Sequence, residues 1–164
     1  HKKPTPATGW CKSDPLIISI PRCKNRQNPS HSMGLCYSTF VARLPQILTE
    51  HLMAPRCSGV LESESAVSGR GDNSACGDVL VLMLDLEPDS GLLQAAFQAR
   101  GCSAVIAVAS LGAEAVTGMK PSEARALPIK EIVKEAGGLD GLQSHAIRVF
   151  DRALQHALRQ LPTV

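Results

Sequence analysis

The hydrophobic pattern predicts a small sheet in the first half of the chain. Residues 79–86 are almost wholly apolar, and residues 88–91, Pro-Asp-Ser-Gly, form a strong turn signal after them. The sequence therefore predicts a β-hairpin whose return strand is residues 92–100. In the Ser- and Gly-rich stretch 57–73, the apolar pair Val60-Leu61 predicts a short edge strand that leads into an exposed loop.

Apolar residues at helical spacing predict helices on both sides of this hairpin. One is expected over residues 40–53, with Pro45 in its first turn and an end near Pro55. The four expected after the hairpin run from an N-cap Ser103 to Gly118, from Pro121, from Pro128, and from an N-cap Ser144. Strands followed by helices indicate an α+β fold, with helices packed on one face of a small three-stranded antiparallel sheet.

The beginning of the chain differs in composition from the rest. Residues 1–32 hold six basic residues against one acidic residue, and five of the eleven prolines. No helical or alternating apolar period extends through them. We therefore expect residues 1–35 to be a basic, Pro-rich disordered leader or a non-native extension, and residues 36–164 to form one folded domain.

Composition excludes several classes of function. The net charge of +2 is too balanced for a nucleic-acid binder, and aromatic residues make up only 3% of the chain. The longest uninterrupted apolar runs have six residues, so no membrane span is expected. Six cysteines at irregular spacing, without a secretory signal, predict reduced thiols and a cytoplasmic protein.

Two of the cysteines are placed where the hairpin would bring them together. Cys76 precedes the first hairpin strand and Cys102 follows the second, and the open ends of a hairpin lie side by side. Asp78 lies two residues after Cys76 and projects to the same side of an extended chain. A helix beginning at Ser103 would favour the Cys102 thiolate by its dipole. Spacing alone favours two buried structural cysteines over a metal or sulfur site, and both interpretations stay open at this point.

Four motifs in register over residues 40–158 resemble the IscU/NifU-type scaffold proteins of iron-sulfur cluster assembly. They are Glu50-His51 with Pro55-Arg56 and Gly59; Ala75-Cys76-Gly77-Asp78; Phe97 to Cys102; and Ser110-Leu111, Glu114 and Gly118 followed by Glu123-Ala124 and Ile129 to Glu135. The resemblance implies a transient [2Fe-2S] cluster or zinc as the bound group. It also implies a cysteine desulfurase and recipient apo iron-sulfur proteins as partners, and a carrier rather than an enzyme.

The resemblance also implies a ligand set with one departure from the family. The family uses three cysteines, an aspartate and a histidine, of which Cys76, Asp78 and Cys102 match directly. Without a gap, His145 falls at the position of the third cysteine; with a gap of one residue, His145 remains the histidine and Ala146 replaces the cysteine. Either alignment lacks the third thiolate, and the expected ligands of iron or zinc are Cys76, Asp78, Cys102 and His145.

This departure leaves three hypotheses open. The first is a scaffold for assembly and transfer of an iron-sulfur cluster. The second is a zinc-bound sulfur acceptor that works with a cysteine desulfurase, and the third is a relative that has lost assembly chemistry and keeps a structural metal. Leu-Asp-Gly-Leu-Gln at residues 139–143 replaces the Leu-Pro-Pro-Val-Lys that bacterial members offer to an Hsp70-type chaperone, so that partner is doubtful.

Overall fold

The computed structural model describes residues 44–141 and 143–161. The predicted leader, residues 1–35, and the first part of the helix predicted over residues 40–53 lie outside these described residues. The leader and its boundary therefore stay predictions. Within the described residues, no helix is both long and apolar enough to cross a membrane.

Three antiparallel strands form the sheet, and this confirms the predicted fold class. They are β1 (Val67–Asn73), β2 (Asp78–Leu86) and β3 (Leu93–Arg100), in the order β1-β2-β3. The predicted hairpin is β2 and β3, with Val79 opposite Arg100 at its open end.

The prediction of an edge strand at Val60-Leu61 is wrong, because the edge strand is β1. Its sequence, Val-Ser-Gly-Arg-Gly-Asp-Asn, lacks alternating large apolar residues. Gly69 and Gly71 occupy the inward positions instead and are buried beneath a helix. The inward side of this strand is therefore filled by the helix backbone and not by apolar side chains of its own.

Five helices complete the described part of the chain. They are α1 (Gln46–Met53), α2 (Ser103–Val116), α3 (Pro121–Arg125), α4 (Ile129–Glu135) and α5 (His145–Leu158). One predicted N-cap is wrong, and a second is correct in position but makes no capping bond. Cys102, not Ser103, is the N-cap of α2. Ser144 is the N-cap of α5, but its hydroxyl donates to the Gly141 carbonyl and makes no capping bond.

The helices cover one face of the sheet. Leu80, Leu82 and Leu84 alternate along β2 and are fully buried. Helix α5 packs against β1 and β2, and α2 packs against β3. A Cβ atom at Gly69 would overlap the carbonyl oxygen of Ala153 in α5. The two glycines of β1 thus let the α5 backbone approach the sheet closely, and this approach sets where the first residue of α5 lies.

A buried histidine joins α1 to α2. His51 is 3% exposed, and its Nδ1 lies 2.8 Å from the Ser110 hydroxyl oxygen. The same oxygen accepts the Arg56 backbone N–H at 2.8 Å, and the Arg56 guanidinium donates to the Glu114 carboxylate at 2.6 and 2.8 Å. Burial, and then the Arg56 charge, lower the pKa of His51 below 6.5, although Glu114 and Glu50 oppose the shift.

We expect this histidine to make the fold less stable in acid. Because the pKa of His51 is lower in the folded state, the unfolded chain binds the extra proton first as pH falls below about 6.5. The free energy of unfolding should fall by up to about 1.4 kcal/mol per pH unit until the folded-state pKa is reached. Urea unfolding between pH 7.5 and 5 measures this slope.

Two variants separate titration from packing in this measurement. His51→Gln removes the titrating group, so its stability should change less between pH 7 and 5 than that of the parent. Ser110→Ala keeps the buried imidazole but removes the partner of both the Arg56 N–H and His51 Nδ1, so it should lower stability by about 1–3 kcal/mol while a pH slope remains. An unchanged slope in His51→Gln would show that acid sensitivity arises elsewhere.

Candidate metal centre

Four potential ligands meet at the open end of the hairpin. Cys76 lies in the turn between β1 and β2, and Asp78 is the first residue of β2. Cys102 is the N-cap of α2, and His145 is the first residue of α5. The structure therefore brings together the four side chains that the resemblance had implied as ligands.

His145 and the buried Asp78 form the centre of the group. Asp78 is 1% exposed, and its Oδ2 lies 2.9 Å from Nε2 of His145, whose side chain is 13% exposed. The Cys102 Sγ lies 3.4 Å from the same nitrogen and 4.0 Å from Asp78 Oδ2. Ligand atoms of Cys76, Asp78 and His145 all lie within 4.8 Å of one another. Cys76 is exposed, so the group opens to solvent on that side.

These distances are close to those between the ligand atoms of one tetrahedral metal ion. Bonds of 2.0–2.3 Å at tetrahedral angles place ligand atoms about 3.3–3.8 Å apart. The 3.4 Å from Cys102 to His145 lies in this range and the 4.0 Å from Cys102 to Asp78 lies just above it, whereas the 2.9 Å between Asp78 and His145 is shorter, so these two side chains would have to separate slightly around an ion. Two sulfurs, one carboxylate oxygen and one imidazole nitrogen form a donor set that suits zinc or iron.

The two oxygens of Asp78 have different surroundings. Oδ1 accepts the backbone N–H of Cys102 at 2.8 Å, at the N-terminus of α2. Oδ2 faces His145 and the Cys102 sulfur. The carboxylate therefore ties the start of β2 to the start of α2, and it offers one oxygen to the space between the ligands.

The expectation that the helix N-terminus makes Cys102 favour the thiolate is wrong. Burial raises the pKa of the Cys102 thiol, and the charges of Asp78 and Cys76 raise it further. Hydrogen bonds from the backbone N–H groups of Val105 and Ala104 act in the opposite direction. The helix N-terminus contributes as expected, but desolvation has the larger effect.

Cys57 lies apart from these four residues. It is 5% exposed, and its Sγ lies 4.0 Å from the Thr117 hydroxyl. Its carbonyl oxygen accepts the N–H of Phe97 on the outer edge of β3. Cys76 and Cys102 are free cysteines.

The fold and this site define a small α+β protein with a group of Cys, Asp and His side chains that could hold a metal ion. The family profile described as the NifU-like N-terminal domain matches residues 45–163. The chain belongs to this NifU-like N-terminal domain family.

Curated relatives carry names from iron-sulfur cluster assembly. The Drosophila melanogaster protein named iron-sulfur cluster assembly enzyme IscU is 32% identical over 120 residues, which cover 72% of this chain and 77% of the relative. The Saccharomyces cerevisiae iron sulfur cluster assembly protein 2, mitochondrial, is 29% identical over 143 residues, which cover 83% of this chain and 91% of the relative. The Rickettsia prowazekii iron-sulfur cluster assembly scaffold protein IscU is 30% identical over 111 residues, which cover 66% of this chain and 84% of the relative.

Solved structures share the fold. A hypothetical protein solved at 2.3 Å matches with a TM-score of 0.54 and 25% identity, covering 70% of this chain and 95% of that one. A candidate iron-sulfur cluster assembly scaffold protein for the SUF system from Fervidobacterium islandicum matches with a TM-score of 0.54 and 17% identity, covering 69% and 94%. The second match supports the fold alone.

Proposed function

We propose that this protein is a scaffold on which an iron-sulfur cluster is assembled and from which it is transferred. The cluster is its cargo, held by Cys76, Asp78, Cys102 and His145. The observation that carries the proposal is the meeting of these four donors at one end of the sheet, with Cys76 on the solvent side. The names of the relatives support the same function.

The arrangement suits a site that must both fill and empty. Asp78 is buried and hydrogen-bonded, so it supplies a preorganised oxygen ligand. A carboxylate is a harder ligand than a thiolate and binds iron less durably in a sulfur-rich site. Exposed Cys76 gives the cargo and its recipient a direct approach. We therefore propose recipient apo iron-sulfur proteins as partners.

His145 changes how sulfur could be delivered, because an imidazole cannot carry a persulfide. With a cysteine desulfurase as partner, the Cys76 thiolate would attack the outer sulfur of the persulfide on that enzyme. The sulfur–sulfur bond of the donor would break, the donor cysteine would leave as a thiolate, and Cys76 would carry the transferred sulfur. Cys76 suits this step better than Cys102 because it is exposed.

A zinc-bound sulfur acceptor is the second candidate function. The tetrahedral donor set favours it, since zinc binds such sets without redox chemistry. In either function the protein is a carrier and not an enzyme with a released product. We keep the cytoplasm as the predicted compartment on the sequence evidence, while the yeast relative bears the word mitochondrial in its name.

Metal and acid-labile sulfide analysis of protein purified without air tests the proposal. We expect equal amounts of iron and sulfide after anaerobic reconstitution with Fe²⁺ and sulfide, and loss of both on incubation with an apo-ferredoxin. If the protein contains zinc without sulfide and accepts radiolabelled sulfur from a desulfurase, the sulfur-acceptor function would replace the scaffold function as the proposal. Zinc with neither sulfide nor sulfur transfer would favour a structural metal.

Cys76→Ser is expected to lower cluster loading at least about tenfold, because a hydroxyl replaces one of two thiolates. The matched control is Ser74→Ala, an exposed residue of the same turn that offers no ligand to the site. Iron and sulfide content and the visible absorption of the cluster measure the change. Equal loading of Cys76→Ser and the parent would remove Cys76 from the ligand set.

A further inference from the structure

Gly101 lies between β3 and the site and is a glycine for reasons of space. Gly77 and Gly118 have φ angles of 69° and 82°, where side chains are strained, but φ of Gly101 lies outside that left-handed region. Its φ angle therefore does not require glycine. A Cβ atom at Gly101, however, would overlap Oδ1 of Asp78 and lie 2.9 Å from its Cγ.

The Asp78 carboxylate cannot move away from an added Cβ atom without losing a contact. It is 1% exposed, its Oδ1 is held by the Cys102 N–H at 2.8 Å, and its Oδ2 lies 2.9 Å from His145 Nε2. The Asp78 Cβ would also lie 3.0 Å from the added Cβ atom at Gly101. Any side chain at Gly101 must therefore turn the carboxylate out of these two contacts.

We propose that Gly101 is a positioning residue that makes Asp78 a single-oxygen ligand. Because Gly101 has no side chain, Oδ1 can lie beside it and accept the Cys102 N–H. Only Oδ2 is then left to bind an ion. The same hydrogen bond fixes the position of the Asp78 carboxylate relative to the Cys102 sulfur, because the bonded N–H and the sulfur belong to the same residue. This inference rests on the proposed metal centre and deepens it by assigning how the carboxylate binds.

A single-oxygen carboxylate has a chemical consequence. Carboxylates bind metals through one or both oxygens, and the second oxygen raises the coordination number. With Oδ1 occupied, the four side chains supply four ligand atoms, as a tetrahedral ion requires. If Oδ1 were free, it could supply a fifth ligand atom in competition with the exposed thiolate of Cys76.

A double-mutant cycle with Co²⁺ as the probe tests the assignment. Gly101→Ala should lower Co²⁺ affinity about 10- to 100-fold, the range that holds for residues that orient a ligand. In the Asp78→Ala background it should cause no further loss, because the carboxylate that it displaces is absent. The matched control is Gly141→Ala, since Gly141 is exposed, has no neighbour within 4 Å of an added Cβ atom and has no left-handed φ.

Amide hydrogen exchange gives a readout that needs no metal. Gly101→Ala should accelerate exchange of the Cys102 N–H in the metal-free protein, Asp78→Ala should do the same, and the two effects should not add. Equal Co²⁺ affinity in Gly101→Ala and the parent, or an equal loss in both backgrounds, overturns the inference. If the parent binds no Co²⁺, the proposed metal centre fails, and the exchange of Cys102 alone decides whether Gly101 positions Asp78.

Discussion

Gly71→Ala is expected to lower the free energy of unfolding by about 3 kcal/mol and to weaken metal binding at the same time. An added Cβ atom would overlap the backbone carbonyl oxygen of Val149 in α5, and backbone cannot move aside as a side chain can. The helix must shift away from β1, and α5 carries His145 at its first turn. Urea unfolding and Zn²⁺ titration measure the two losses.

Ser68→Ala is the control for this prediction. Ser68 lies on the same strand, with an exposed side chain, so the substitution should change stability by less than about 0.5 kcal/mol. Gly69→Ala should resemble Gly71→Ala, because its added Cβ atom would overlap the Ala153 carbonyl oxygen. Parent-like stability in both glycine variants would mean that α5 does not need its close approach to β1.

The second large effect is expected at His145. His145→Ala should lower Zn²⁺ affinity by on the order of 100-fold or more, because loss of a ligand costs at least as much as loss of a residue that orients one. His145→Cys should supply a third thiolate and increase both Zn²⁺ affinity and the yield of reconstituted cluster. Competition with a chromophoric chelator and iron-sulfide analysis measure these changes.

His156→Ala is the matched control for His145→Ala. His156 lies near the other end of α5, where its Nδ1 accepts the backbone N–H of Arg70, so its loss should leave Zn²⁺ affinity unchanged. If His145→Ala binds Zn²⁺ as tightly as the parent, His145 is no ligand. A family relative with a structural metal or none would then be the better account of the chain.

Secondary structure near the hairpin follows from local sequence. An apolar run rich in Val and Leu, then Pro-Asp-Ser-Gly, specifies strand and turn through interactions between near neighbours in the chain. A hairpin necessarily places its two open ends together, so the closeness of Asp78 and Cys102 could be inferred without tertiary information. Most helix boundaries likewise came within a residue or two of those in the structure.

The edge strand β1 could not be inferred in this way. Its inward positions are Gly69 and Gly71, which carry no apolar side chain and have low strand propensity. They are buried because α5, some eighty residues later in the chain, packs directly on them. A strand is recognised in a sequence by alternating apolar and polar side chains. In β1 the buried positions are glycines, so no such alternation is present.

The chain by itself determined the α+β class, the hairpin and the closeness of Asp78 to Cys102, because strand, turn and helix signals are local and a hairpin necessarily places its open ends side by side. Only the family resemblance indicated a ligand at position 145. The tertiary structure decided that His145 Nε2 lies 2.9 Å from Asp78 Oδ2, that burial outweighs the helix N-terminus at the Cys102 thiol, and that Gly101 leaves space for a carboxylate. These three findings depend on distances between elements that are far apart in sequence. Such distances are set by how the helices pack on the sheet.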